Sequence, residues 1–205
     1  MLHSLRGSSS RVISPLVDTL VRSGLKPNML SFMSLLFAFL AGYCYYISFE
    51  QTFPLSLALL FVAISSFFDF LDGEVARKSG LESRRGDLVD HVIDRYADSF
   101  ILGGIVLAGY SGVLAGIGAI VGTLITSYLG TQAQALGLGR YYGGFLGRAD
   151  RMIFLIIATI LNLIYPHPIE GYQILGWLIV FFAVMTNLTA IQRFIHIWRD
   201  LERKT

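Results

Sequence analysis

The chain alternates between long apolar runs and short polar connections. Six runs, at residues 29–49, 54–77, 86–109, 112–138, 148–165 and 171–197, have about the 20 residues that a helix needs to cross a bilayer core. They must be helical, because hydrocarbon offers an open backbone no hydrogen-bond partner. Before them, Val12, Ile13, Leu16, Val17, Leu20 and Val21 recur at helical spacing, with Arg11, Ser14, Asp18 and Arg22 at other positions. Residues 8–24 therefore predict an amphipathic helix lying in the membrane interface and closed by Gly24. No long linker or low-complexity tract interrupts residues 1–205. The pattern predicts one all-α integral membrane domain, six transmembrane helices preceded by an interfacial helix.

Composition agrees. The mean hydropathy is +0.62, and 15% of residues are charged, against about 25% in soluble domains. The 16 lysines and arginines all fall on one side of the predicted topology. The connections near Glu50–Thr52, Tyr110–Ser111 and Pro166–Glu170 hold none. Basic residues mark the cytoplasmic side, so the expected placement is a multi-pass protein of the cell membrane with both termini in the cytoplasm. The single cysteine, Cys44, excludes an internal disulfide, and no nucleic-acid partner is expected. Gly112, Gly116, Gly118 and Gly122 in the fourth run are spaced for close helix contact, either within a subunit or across a dimer seam.

Against this apolar background, the stretch from Asp69 to Asp94 is anomalous. Asp69 and Asp72 are three residues apart at the end of one span, and Asp90 and Asp94 are four apart early in the next. Each pair shares a helix face, extended on the second helix by Asp87 and Asp98. A short connection makes the two helices expected antiparallel neighbours, so the carboxylates converge near the cytoplasmic surface. Ionisable groups in spans are functional by default, and converging carboxylates need a cation. A hard divalent ion suits oxygen ligands, and a pair of such ions suits phosphoryl transfer. Gly73, Ala76 and Gly86 are small residues beside the acids that let a flat ligand approach the backbone. Arg77 is placed to hold a phosphate. His91 reads as lying off the aspartate face.

Asp69-x-x-Asp72-Gly73-x-x-Ala76-Arg77, eight residues, Gly86, three residues, Asp90, three residues, Asp94 resembles the signature of the CDP-alcohol phosphotransferases at all eight fixed positions. The resemblance implies a six-helix membrane enzyme with an amphipathic N-terminal helix, typically a homodimer. It implies that Asp69, Asp72 and Asp90 hold two divalent cations, Mg²⁺ or Mn²⁺, with Asp94 touching one. Gly73, Ala76, Arg77 and Gly86 would bind the CDP moiety of a CDP-lipid, CDP-diacylglycerol or CDP-archaeol. Asp94 would be the general base on a polar alcohol acceptor, and CMP would leave.

The acceptor should be read by the later segment Thr131–Arg151, where Arg140, Arg148 and Arg151 suit an acceptor that itself carries phosphate. Ser127-Tyr128 and Arg148-x-x-Arg151 are similar to the branch that makes phosphatidylinositol phosphate and archaetidylinositol phosphate, which implies inositol 1-phosphate. Gly130, Thr131 and Gln132 stand where that branch carries basic residues, which keeps glycerol phosphate, serine or another alcohol open. The competing class is an ion or solute transporter, since acids in spans also mark ion paths. The acids here cluster towards one face, and no pair of broken helices with related halves is visible.

Overall fold

The computed structural model describes residues 6–139, 141 and 143–203, with side chains from residue 13 onward. Its seven helices are α1 (Arg6–Arg22), α2 (Pro27–Tyr46), α3 (Thr52–Ser79), α4 (Arg84–Leu107), α5 (Val113–Ala135), α6 (Arg148–Ile164) and α7 (Ile174–Glu202). The described residues hold no strand, only an isolated bridge between Ile169 and Tyr172. Each helix corresponds to one predicted from the apolar pattern, with ends displaced by a few residues. Pro27 opens α2, where its missing N–H is harmless. Gly80 ends α3 in the left-handed region at φ 66°, a conformation that glycine adopts without strain. Ser83 caps α4 by accepting from the Gly86 N–H at 3.0 Å.

Four helices, α2, α3, α5 and α7, are long and apolar enough to cross a membrane. Two of the six predicted spans fall short, each for a local reason. The stretch of α4 from Arg84 to Asp98 carries Arg84, Arg85, Asp87, Asp90, Asp94, Arg95 and Asp98. Helix α6 has 17 residues, about 26 Å at 1.5 Å per residue. Both helices bring charge to the aspartate cluster, α4 through Asp90 and Asp94 and α6 through Arg148. The apolar side of α1 packs on α3: Val17 joins Leu30, Leu71 and Val75 in a buried cluster flanked by Ile13, Leu20 and Val21. Lys78 fastens the other side of α1 through Asp18 at 2.7 Å.

The expected pairing of α3 with α4 does not occur. Helix α2 packs extensively against both, while α3 and α4 hardly approach each other along their backbones. The cause is the small-residue surface of α2. On one side Ser34 donates to the Ser65 carbonyl of α3 at 3.0 Å, and Ser65 donates back to the Ser34 carbonyl at 2.9 Å. On the other, a Cβ added to Gly104 of α4 would lie 2.0 Å from the Gly42 carbonyl oxygen of α2. With α2 packed against both, α3 and α4 stand on either side of a narrow cleft between their backbones, which their aspartate side chains bridge.

The glycines of α5 are used inside the subunit. A Cβ at Gly116 would strike Val106 of α4, and one at Gly122 would strike Thr186 and Asn187 of α7. Asn187 Nδ2 donates to the Gly118 carbonyl at 2.9 Å, and Thr126 donates to the Thr186 carbonyl at 2.9 Å. Tyr45 of α2 bonds Thr159 of α6 at 2.6 Å. Small residues and hydroxyl bonds therefore bring the helices close around a core that also holds Tyr45, Leu102, Ile105, Leu155, Ile179 and Phe182, a use of small residues common to membrane helices.

Gly104→Ala is expected to lower thermal stability in detergent, because a Cβ there meets backbone that cannot give way. Overpacking of this kind costs about 1–3 kcal/mol. Gly103→Ala, next to it and facing open space, is expected to be neutral or slightly stabilising. Equal melting shifts for the two variants would remove the α2–α4 contact as a determinant of stability.

Candidate active site

The four aspartates of the motif gather at the end of the cleft where α3 turns back into α4. One carboxylate oxygen from each of Asp69, Asp72 and Asp90 lies within 4.8 Å of the other two. A ligand atom from each of Asp90, His91 and Asp94 forms a second such group. His91 thus stands nearer the centre than its register suggested. It is half-buried, with Nδ1 3.8 Å from Asp90 and Nε2 3.5 Å from Asp87.

Neighbouring helices fix these side chains. Ser31 of α2, buried at the base of the cleft, donates to Asp72 Oδ2 at 2.6 Å. That bond orients a buried carboxylate and leaves its other oxygen for the cluster. From α6, Arg148 Nη1 reaches Asp69 Oδ2 at 2.6 Å and Asp94 Oδ1 at 3.0 Å. Deeper, Arg151 Nη2 bonds Asp98 Oδ2 at 2.6 Å; Arg151 is 1% exposed and Asp98 3%. Backbone contact between α6 and α4 is slight, so these long side chains cross a gap. Asp94 Oδ1, Asp98 Oδ1, Arg148 Nε and Arg151 Nε are buried there without a hydrogen bond. Unsatisfied buried polar atoms are uncommon, and these four belong to neighbouring residues, Arg148 Nε standing 3.9 Å from Asp98 Oδ1.

The nucleotide candidates lie on the outer side of the aspartates. Gly73 and Ala76 are half-buried on α3, and Gly86 lies one turn before Asp90 on α4. The bare face of Gly73 is covered by the Arg77 guanidinium, 3.5 Å from where a Cβ would stand. Arg77 also pairs with Glu74. The bare face of Gly86 looks towards Asn28 Oδ1 of α2, 3.7 Å from where its Cβ would stand.

The expected acceptor arginines separate. Arg148 sits among the aspartates, Arg151 is enclosed with Asp98, and Arg140 lies outside the described residues. Sequence reasoning missed Ser31 and Arg193. Arg193, buried on α7, donates to the Thr126 carbonyl of α5 at 2.7 Å and to the Gly143 carbonyl at 2.7 Å. It ties the α5–α6 connection to the bundle. The available signal was a polar group recurring inside an apolar helix, which a count of cytoplasmic charge absorbs without comment. Arg95, bonded to the His91 carbonyl at 2.7 Å and 3.7 Å from Asp94, completes the basic border.

The donor set suits a hard divalent ion: three aspartate oxygens within mutual ligand range, with further carboxylate and imidazole donors beside them. The chain resembles known proteins along nearly its whole length. Archaetidylinositol phosphate synthase of Pyrococcus horikoshii is 30% identical over 202 residues, covering 98% of this chain and 99% of that protein. The crystal structure of Mycobacterium tuberculosis phosphatidylinositol phosphate synthase with CDP-DAG bound superposes with a TM-score of 0.76 at 25% identity, covering 92% of this chain and 94% of that one. The same enzyme in complex with manganese and citrate gives a TM-score of 0.75 at 26% identity, covering 90% and 88%.

Replacing Asp98 by Ala leaves the enclosed Arg151 without its partner, an expected loss of about 3–5 kcal/mol. The double variant Asp98→Leu with Arg151→Met is expected to regain most of it, read as thermal unfolding in detergent. Additive losses in the double variant would show that the pair does not act as a unit.

The sequence profile of the CDP-alcohol phosphatidyltransferases matches residues 25–198, and with the aspartate cluster arranged as described, this multi-pass membrane protein belongs to that family of transferases.

Proposed function

We propose that the protein transfers a phosphatidyl or archaetidyl group from a CDP-lipid to a hydroxyl of inositol 1-phosphate, releasing CMP. The observation that carries the reading is the convergence of Asp69, Asp72 and Asp90 within 4.8 Å, beside the small residues Gly73, Ala76 and Gly86. The names of the similar proteins support inositol phosphate over glycerol phosphate or serine. Two divalent cations, Mg²⁺ or Mn²⁺, would be held by Asp69, Asp72 and Asp90, with Asp94 touching one. When bound, they would neutralise the diphosphate and the charge that develops on the leaving phosphate.

The residues of the chain supply the rest. Gly73, Ala76 and Gly86 admit the cytosine and ribose against helix backbone, and Arg77 holds phosphate. Asp94 accepts the proton of the acceptor hydroxyl. That oxygen bonds to the lipid-side phosphorus, the bond from this phosphorus to the bridging oxygen breaks, and the electron pair departs with CMP. Ser31 keeps Asp72 oriented while this happens. Arg140, Arg148 and Arg151 supply positive charge for the acceptor's phosphate, with Arg151 acting from behind Asp98.

The membrane placement follows the same reading. Six spans are supported by the inward pairing of the charges on α4 and α6, which spares lipid contact with them. Helix α1 would lie in the interface, and the basic residues place both termini and the cleft mouth in the cytoplasm. There a lipid tail stays in the bilayer while the headgroup meets a water-soluble acceptor. The whole chain acts as one domain and is proposed to be a homodimer, whose seam lies away from the α5 glycines used within the subunit.

The direct test is CMP release from CDP-diacylglycerol or CDP-archaeol with Mg²⁺, comparing inositol 1-phosphate, glycerol 3-phosphate, serine and no acceptor. Release that depends on inositol 1-phosphate is expected; release with another acceptor keeps the chemistry and changes the substrate. Asp94→Asn is expected to retain Mn²⁺ and nucleotide binding and to lose turnover by about 10²–10⁴-fold, the usual worth of a general base. Near-normal turnover in that variant would remove Asp94 from the role.

A further inference from the structure

Arg148 occupies an unusual position. It is the first residue of α6, set by Gly147 at the N-cap, and its side chain leaves that helix to enter the cleft between α3 and α4. One nitrogen, Nη1, serves two carboxylates that the proposed function gives to metal: Asp69 at 2.6 Å and Asp94 at 3.0 Å. Only the contact with Asp69 has the geometry of a hydrogen bond. The Nε of the same guanidinium is buried without a hydrogen bond, 3.9 Å from Asp98 Oδ1, itself buried without one. A small swing towards Asp98 would satisfy both atoms.

We infer that Arg148 is an internal cation that competes with the divalent metal for Asp69 and Asp94, and that metal entry turns its guanidinium towards the acceptor's phosphate. The inference rests on the reading of these aspartates as metal ligands. Converging carboxylates repel, and a guanidinium tethered to a third helix can neutralise them without closing the cleft. Its hold is incomplete, one directional bond from a group with five N–H donors, so a doubly charged ion can take its place. Arg151 contrasts with it, fully enclosed and bonded to Asp98 Oδ2. Once moved to Asp98, Arg148 keeps N–H groups free for paired bonds to a phosphate. A cation that leaves Asp94 as metal arrives would order binding, metal before the phosphorylated acceptor.

The test uses the purified full chain in detergent, with Mn²⁺ as the probe. Phenylglyoxal modification of individual arginines is read by peptide mass spectrometry, and Mn²⁺ binding by electron paramagnetic resonance. Labelling of Arg148 should rise several-fold when Mn²⁺ binds, with Arg151 unchanged. Arg148→Met should bind Mn²⁺ about tenfold more tightly, the scale of removing one close competing ion pair. Arg95→Met, which removes a charge 3.7 Å from Asp94, should change the affinity much less. Mn²⁺ binding with unchanged or reduced Arg148 labelling overturns the inference and leaves the proposed function standing. An equal gain of affinity in Arg148→Met and Arg95→Met also overturns it, since general charge then accounts for the effect. If wild-type protein binds no Mn²⁺, the metal reading itself fails and the inference with it.

Discussion

Mutual repulsion among carboxylates is the constraint around which the molecule is built. Asp69, Asp72, Asp90 and Asp94 come together, Asp72 buried and the others partly exposed, and each neighbouring helix offsets part of the cost of their repulsion. Helix α2 contributes the Ser31 hydroxyl to Asp72. Helix α6 contributes Arg148 to Asp69 and Asp94, and Arg151 to Asp98 behind them. Helix α4 adds Arg95, 3.7 Å from Asp94. The divided arrangement keeps acidic oxygens near one another while leaving some without a hydrogen bond, which is what a centre meant to receive a cation and an anionic substrate requires.

The packing of α2 holds α3 and α4 apart along their backbones. The Ser34–Ser65 pair and the Gly42–Gly104 approach bind α2 tightly to both walls. The small residues of α5 act similarly against α4 and α7, making a rigid half of the bundle against which the α5–α6 connection is held by Arg193. Close backbone approach and hydroxyl bonds join the helices alongside the large apolar side chains of the core, so small added volumes at these contacts should disturb the packing.

The proposed chemistry draws on this division of labour. The groups proposed to read the nucleotide, Gly73, Ala76, Arg77 and Gly86, lie within one continuous motif on α3 and α4. Those proposed to border the acceptor side come from α6 and the connection before it, distant in sequence. A family that keeps the first set and varies the second can exchange acceptors without altering the bond that breaks.

The sequence by itself determined the helices, their order and the aspartate motif. Apolar runs of bilayer length and a fixed spacing of acids are local properties, and local properties survive being read along a line. It also determined that Asp69 and Asp72, and Asp90 and Asp94, share faces, since helical periodicity sets this. Which helix lies beside which was decided only by tertiary packing. A short connection suggested that α3 and α4 pair directly, but the small-residue surface of α2 favours contact with both, and its advantage depends on backbone approach that no periodicity records. The same limit hid Ser31, whose hydroxyl matters only because Asp72 lies opposite it, and separated Arg148 from Arg151. Three residues apart on one helix, they look equivalent as charges. Only the depth of Asp98 relative to Asp69 and Asp94 makes one a buried strut and the other a cation within the acidic centre.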